Sequence, residues 1–486
     1  MKQQSVNPYL PSYEYIPDGE PHAFENRVYV YGSHDRFNAP MFCMNDYVCW
    51  SAPVEDLSDW RYEGVIYRKK QDTKNNLGLR LLFAPDVTCG PDGKYYLYYA
   101  IDFMGIMGVA VCDTPAGTYE FLGHVHYPDG KLWGRRKGDQ FPFDPGVLTD
   151  EDGRVYLYSG FALSVPPVVT GFRRLKFDGG VVLELEQDML TIKEGPKLLF
   201  PKEGKDAFKD HEFFEASSIR KKDGKYIFVY SSVHNHELCY AISDHPTKEF
   251  TFGGTLVSQG DLFLDGRTAE PAANNYLGNN HGGIERIGEQ WYVFYHRQTN
   301  RHSYSRQACA EKLYENESGG FYQAEVTSCG LNPGALKGVG TYESRISCNL
   351  SSKAGTGRYD SKNPKKRFGK HPYFTQEGKD RNEKPNQYIA NMQDGATAGF
   401  KYFDIGQVIA IRIALRGRGR GRFLVSTAED FNSIITEIPV LLMDKCRWVD
   451  VQGSYGLTGK SCALYFRYEG EGFMDFKEFE LVENGV

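Results

Sequence analysis

The chain has 486 residues, too many for one ordinary domain and enough for two. Its formal net charge of −6 gives no support for a nucleic-acid partner, which would need a dominant basic surface. Hydrophobic residues at 41% and charged residues at 25% describe a well-cored globular protein, and no apolar run is long enough to span a membrane.

Read from its start, the N-terminal MKQQSVNPYLPSYEY holds no leader-like apolar segment, so the chain as written is expected in the cytoplasm. A missing leader would make it secreted or periplasmic. Five hairpin signals then follow in chain order, at residues 25–31, 91–98, 151–158, 222–230 and 287–295. Each is a turn of Asp, Gly or Asn followed by an alternating, aromatic strand. A turn with positive φ between two such runs is a strong hairpin signal. Their anchors Tyr29, Tyr96, Tyr156, Ile227 and Tyr292 recur every 60 to 71 residues, room for four strands each. No long amphipathic helix interrupts them. Four-stranded units repeated five times predict an all-β chain that opens with a five-bladed β-propeller, over residues 1–335.

Ten to twelve residues before each anchor stands an ionisable residue: Asp18, Asp86, Asp144, Glu215 and His281. The first strand of a propeller blade lines the axis, so these five are expected to converge. Carboxylates gathered in one small volume push their pKa values apart, which is how one becomes an acid and another a base.

After residue 335 the period stops. Residues 353–387, rich in Lys, Gly, Asn and Asp, read as loop or a weakly structured insertion. Alternating strands return at 402–405, 408–415, 422–426, 447–451 and 463–468, predicting a β-sandwich over 336–486. The Arg-Gly alternation of residues 416–422 reads as a charged hairpin turn. Ten cysteines without a C-x-x-C pair read as free thiols.

At these residues the chain resembles glycoside hydrolase family 43, over roughly residues 6–330. The resemblance implies a propeller acting on arabinose- and xylose-containing glycans. It makes Asp18, placed by its distance to the Tyr-Gly-Ser-His-Asp stretch ending at Asp35, the general base. Asp144, in Phe-Asp-Pro, would raise the acid's pKa and orient it. Glu215, in Glu-Ala-Ser-Ser-Ile, would be the general acid. His281 matches a channel histidine compatible with a calcium ion held through water, no cofactor being required. Arg306 matches an arginine that contacts substrate; Asp86 and Phe37 are expected to line the sugar pocket. The implied activity is inverting release of α-L-arabinofuranose or β-D-xylose. An endo-arabinanase or galactosidase of the same fold, or a non-catalytic sugar-binding propeller, stands as the alternative. The C-terminal third resembles a family 6 carbohydrate-binding module, or else an appended sandwich that buttresses the propeller or extends its rim. Oligomeric state is not legible.

Overall fold

The computed structural model describes residues 4–359, 369–381 and 386–483. Four sheets of four antiparallel strands come first in chain order. Blade one is β1 (Glu20–Phe24), β2 (Arg27–Tyr31), β3 (Tyr47–Pro53) and β4 (Arg61–Tyr67). Blade two is β5 (Leu82–Cys89) to β8 (Glu120–His124), through β6 (Tyr95–Ile101) and β7 (Met107–Cys112). Blade three is β9 (Gly146–Thr149), β10 (Val155–Gly160), β11 (Gly179–Leu185) and β12 (Ile192–Pro201), and blade four is β13 (Phe213–Lys222), β14 (Lys225–Ser232), β15 (Glu237–Ser243) and β16 (Thr251–Ser258). Blade five has three strands, β17 (Ile284–Ile287), β18 (Gln290–Gln298) and β19 (Arg306–Leu313).

The inner strands touch in the ring order β1, β5, β9, β13, β17 and back to β1, which makes the five sheets a closed propeller. Every predicted anchor falls on the second strand of its blade. The aromatic residues that made those strands legible fill the seams: Tyr31, Tyr67 and Tyr99 between blades one and two, and Tyr158, Phe200 and Phe228 between three and four. A ring of that size, wholly buried, contributes about 2 kcal/mol or more through lost apolar surface. The N-terminal segment closes the circle along the free edge of β19. There the Tyr9 N–H donates to the Ala308 carbonyl (3.2 Å) and the Asn7 side chain exchanges two hydrogen bonds with the Ala310 backbone.

Beyond the propeller an eight-stranded sheet is built from β20 (Leu336–Lys337), β21 (Gly340–Glu343), β22 (Asn349–Ser351), β23 (Tyr373–Glu377), β24 (Asn386–Met392), β25 (Thr397–Ser426), β26 (Ile434–Leu442) and β27 (Val449–Glu483). The strands predicted separately are runs within β25 and β27, whose residues share one apolar core.

Two expectations are corrected here. Residues 416–422 are not a turn but the interior of β25, paired with β27 throughout and, from Gly419 on, with β26 on the other side. Alternation of Arg and Gly is a period of two, and the glycines face backbone so closely that a Cβ on Gly421 would meet the Glu469 carbonyl at 2.1 Å. Residues 353–387 are not wholly loop: β23 and the segment after it pack on the propeller, while residues 360–368 and 382–385 of that reading lie outside the described residues. The two units share buried polar contacts, among them the Lys401 ammonium with Asp261 (3.3 Å) and Glu325 (2.9 Å). All ten cysteines are free thiols.

Candidate active site

At the axis, just ahead of β1, β9 and β17 and early in β13, the chain brings Asp18, Asp144, His281 and Glu215 around one cavity of about 210 Å³. Asp18, Asp144 and Ala216 all hold positive φ (56°, 44° and 69°), a region that non-glycine residues occupy at a cost of about 1 kcal/mol or more. That strain turns the backbone so the three inner strands present their carboxyls to the same space.

Asp18 is buried and accepts a hydrogen bond from Arg306 Nη1 at 2.8 Å. Arg306 is itself clamped by Asp35, which accepts from its Nε (2.9 Å), its Nη2 (3.0 Å) and its backbone N–H (3.0 Å). Burial pushes the Asp18 carboxyl up, but the Arg306 charge, followed by His281 and His296, outweighs it and holds the pKa below the usual carboxylate value. His296 is buried and neutral, pushed down to about 3 by burial and the Arg306 charge. Its Nε2–H points at the Asn279 carbonyl (2.8 Å), leaving Nδ1 to accept the Asp18 N–H (3.3 Å).

Glu215 is the opposite case. Its carboxyl is pushed up to about 8, by burial first and then by the Asp18 charge, with Arg306 opposing. Six phenylalanines, Phe42, Phe83, Phe103, Phe143, Phe161 and Phe214, wall the cavity and supply that apolar surrounding. The Asp144 carboxyl is also pushed well above the usual carboxylate value, by burial first and then by Glu215 and Asp18. Asp144 and Glu215 are a buried carboxyl pair: burial, their like-charge repulsion and the Asp18 charge together oppose ionisation of the pair. Asp144 Oδ2 accepts the Ala216 N–H (3.3 Å) and so ties down the backbone next to Glu215.

His281 Nδ1 faces Asp144 Oδ2 (3.5 Å) and Asp18 Oδ1 (3.9 Å), and burial pushes its pKa down to about 4. Among the described residues, two groups of three side chains place ligand atoms close enough for one ion, and His281 belongs to neither. The donors here do not form the inner oxygen shell calcium prefers.

Two predicted lining residues are elsewhere. Asp86 pairs with Tyr98, two beyond its anchor, as Glu20 pairs with Tyr31, Gly146 with Tyr158 and Ser218 with Val229. It is therefore one pleat deeper than Asp144, because it precedes its anchor by ten residues where Asp144 and Glu215 precede theirs by twelve. There it accepts from the Val147 N–H (2.7 Å) and bonds His22 Nε2 (2.7 Å). With Glu20, Ser218 and Arg220 it makes the floor beneath the cavity: Ser218 Oγ donates to Glu20 Oε2 (2.8 Å), and Arg220 Nη2 reaches the same oxygen (3.2 Å). Phe37 is not among the lining residues. Its ring packs on Tyr15 (5.5 Å) and its N–H bonds Asp380. The aromatic wall that blade one contributes is Phe42, in the same loop, whose ring lies 4.7 Å from the Arg306 guanidinium. Asn235 and Asn279 also line the cavity and were missed. Asp35 and His296 were missed too, though each left a sequence signal: a charged end to the Tyr-Gly-Ser-His-Asp stretch, and a polar run closing the apolar β18.

The model of the family described as "Glycosyl hydrolases family 43" matches residues 17–321. A xylosidase/arabinosidase of Thermoclostridium stercorarium is 49% identical over 484 residues, 99% of each chain. Xylosidase/arabinosidase 43A of Humicola insolens is 31% identical over 327 residues, 58% of this chain and 88% of that one. The crystal structure of a family 43 arabinoxylan arabinofuranohydrolase from Bacillus subtilis shares the fold over 99% of this chain and 98% of that one, with a TM-score of 0.51 at 19% identity. The chain belongs to glycosyl hydrolase family 43 and is a glycosidase.

Proposed function

We propose that the protein is an inverting, exo-acting glycosidase that releases α-L-arabinofuranose or β-D-xylose from the ends of plant-type oligosaccharides. One observation carries the mechanism: a carboxylate kept ionised by Arg306 and a carboxyl kept protonated to about 8 line the same cavity. Glu215 gives its proton to the glycosidic oxygen as the bond to the anomeric carbon breaks. A water attacks the opposite face and passes a proton to Asp18. Inversion requires about 6.5–9.5 Å between the two carboxyls, room for that water. Phenylalanine faces suit the C–H faces of a sugar, and a cavity of about 210 Å³ suits a single terminal residue. The pentose assignment rests on the xylosidase/arabinosidase relatives. A sugar-binding propeller has no use for two carboxyls with separated pKa values.

Nitrophenyl α-L-arabinofuranoside, β-D-xyloside and β-D-galactoside, followed by proton NMR of the first-formed anomer, test this reading. Turnover of a pentoside with inverted product is expected. Retained configuration would overturn the mechanism, and turnover of the galactoside alone would overturn the sugar. The profile of kcat/KM against pH should be bell-shaped. Its alkaline limb should fall near pH 8 as Glu215 loses its proton, and its acid limb below the ordinary carboxylate range as Asp18 gains one.

A further inference from the structure

The loop between β2 and β3 carries two parts of the catalytic cavity, Phe42 on its wall and Asp35 behind Arg306. What holds this loop is not the propeller alone. The carboxylate of Asp380, which follows β23 in the C-terminal unit, accepts the Phe37 N–H at Oδ1 (2.7 Å) and Asn45 Nδ2 at Oδ2 (3.3 Å). Asn45 Nδ2 also donates to the Asp35 carbonyl (3.0 Å), and the Asn45 N–H to the His34 carbonyl (3.0 Å). A single carboxylate thus pins the loop on either side of Phe42.

The neighbouring contacts pull the same way. Arg381 Nη1 reaches both oxygens of buried Glu14 (2.8 and 3.0 Å), which in turn bonds His34 Nε2 (2.9 Å). On the other flank the Asn300 N–H donates to the Phe374 carbonyl of β23 (2.7 Å), and Asn300 Nδ2 to Asn38 Oδ1 (2.7 Å). The Asn38 N–H goes to Ser305 Oγ, next to Arg306 (2.9 Å). Tyr304, in the loop after Asn300, packs edge-on against Phe42 at 4.6 Å. β23 and the residues after it therefore brace both loops from which Asp35, Phe42 and Arg306 reach the cavity.

We propose that Asp380 is a positioning residue for the propeller's active site, holding the Asp35–Arg306 clamp and the Phe42 wall, so that the C-terminal unit is a working part of catalysis. The inference rests on the glycosidase reading above. Displacing a catalytic support by about 1 Å costs up to 10²-fold in rate, and a half-buried carboxylate with two loop partners falls below that limit.

The test uses the full chain with Asp380→Ala, Asp380→Asn and, as a control in the same unit, Arg422→Ala. For Asp380→Ala, kcat/KM on the better nitrophenyl pentoside should fall about tenfold. The acid limb of its pH profile should move up, because a loosened Arg306 lowers Asp18 less. Asp380→Asn, whose amide oxygen can still accept the Phe37 N–H, should stay within about threefold of wild type, and Arg422→Ala should match it. Amide hydrogen exchange at Phe37 and Cys43 should quicken in Asp380→Ala whatever the substrate. Unchanged exchange there would overturn the proposal. So would a loss of activity that only tracks the unfolded fraction, with the acid limb in place. Failure of the wild type on every glycoside would instead overturn the functional reading, and the exchange measurement would still decide this one.

Discussion

Glu215→Gln should lower kcat/KM on a xylo- or arabino-oligosaccharide by about 10³-fold, or about 4 kcal/mol of transition-state stabilisation, the usual share of a general acid. The amide matches the carboxyl in shape but has no acidic proton for the glycosidic oxygen. Nitrophenyl glycosides, whose leaving groups need little protonic help, should lose much less. The alkaline limb near pH 8 should disappear with the group that causes it. Stability should move the other way. A carboxyl with a folded-state pKa of about 8 and an ordinary value of 4.5 destabilises the fold progressively as pH rises between those values, because only the unfolded chain ionises freely there. The glutamine variant escapes this, so its Tm should equal or exceed that of wild type, with the gap widening up to about pH 8. A sugar-oligomer rate within tenfold of wild type would remove Glu215 from the acid role.

Asp18→Asn should also cost about 10³-fold, with a different signature. Loss of the base does not depend on the leaving group, so nitrophenyl and oligosaccharide substrates should suffer alike. Azide, a nucleophile that needs no base, should restore turnover and yield a glycosyl azide of inverted configuration. Retained configuration in that product would place a nucleophile on the enzyme and sink the mechanism. Here stability should fall. Asp18 is one of two buried carboxylates paired with Arg306, and breaking such a pair costs on the order of 3 kcal/mol. Because its folded pKa is depressed, its contribution is present above the ordinary carboxylate value and is lost as pH falls through the lower folded one. The variant's deficit in Tm should therefore be full at neutral pH and shrink in strong acid.

The propeller was legible because its signals are local. Asp-Gly turns need positive φ wherever they occur, and an aromatic strand buried between blades repeats its period five times. Asp18, Asp144, Glu215 and His281 could be aligned by counting back from those turns. The same count misplaced Asp86, since a difference of two residues is one pleat of a strand, and one pleat separates the cavity from its floor. Phe42, Asn235 and His296 were not legible in this way. They come from a loop, a turn and a second strand, with no repeat to set their depth, and only the radial closure of the blades brings them to the axis.

The C-terminal third divides along the same line. Alternation marked its strands, but nothing local distinguishes a polar loop from a brace, and residues 369–381 acquire that role only through partners remote in sequence, such as Asn300, Phe37 and Glu14. By itself the sequence determined the five-bladed architecture and which ionisable residues stand at the inner strands, because hairpin geometry and strand periodicity act over a few residues. Tertiary structure alone supplied the surroundings that hold the Asp18 carboxyl low and push the Glu215 carboxyl up. The pKa of a buried group is set by burial and by the charges beside it, and Arg306, its clamp Asp35 and the phenylalanine wall reach Asp18 and Glu215 only once the ring has closed.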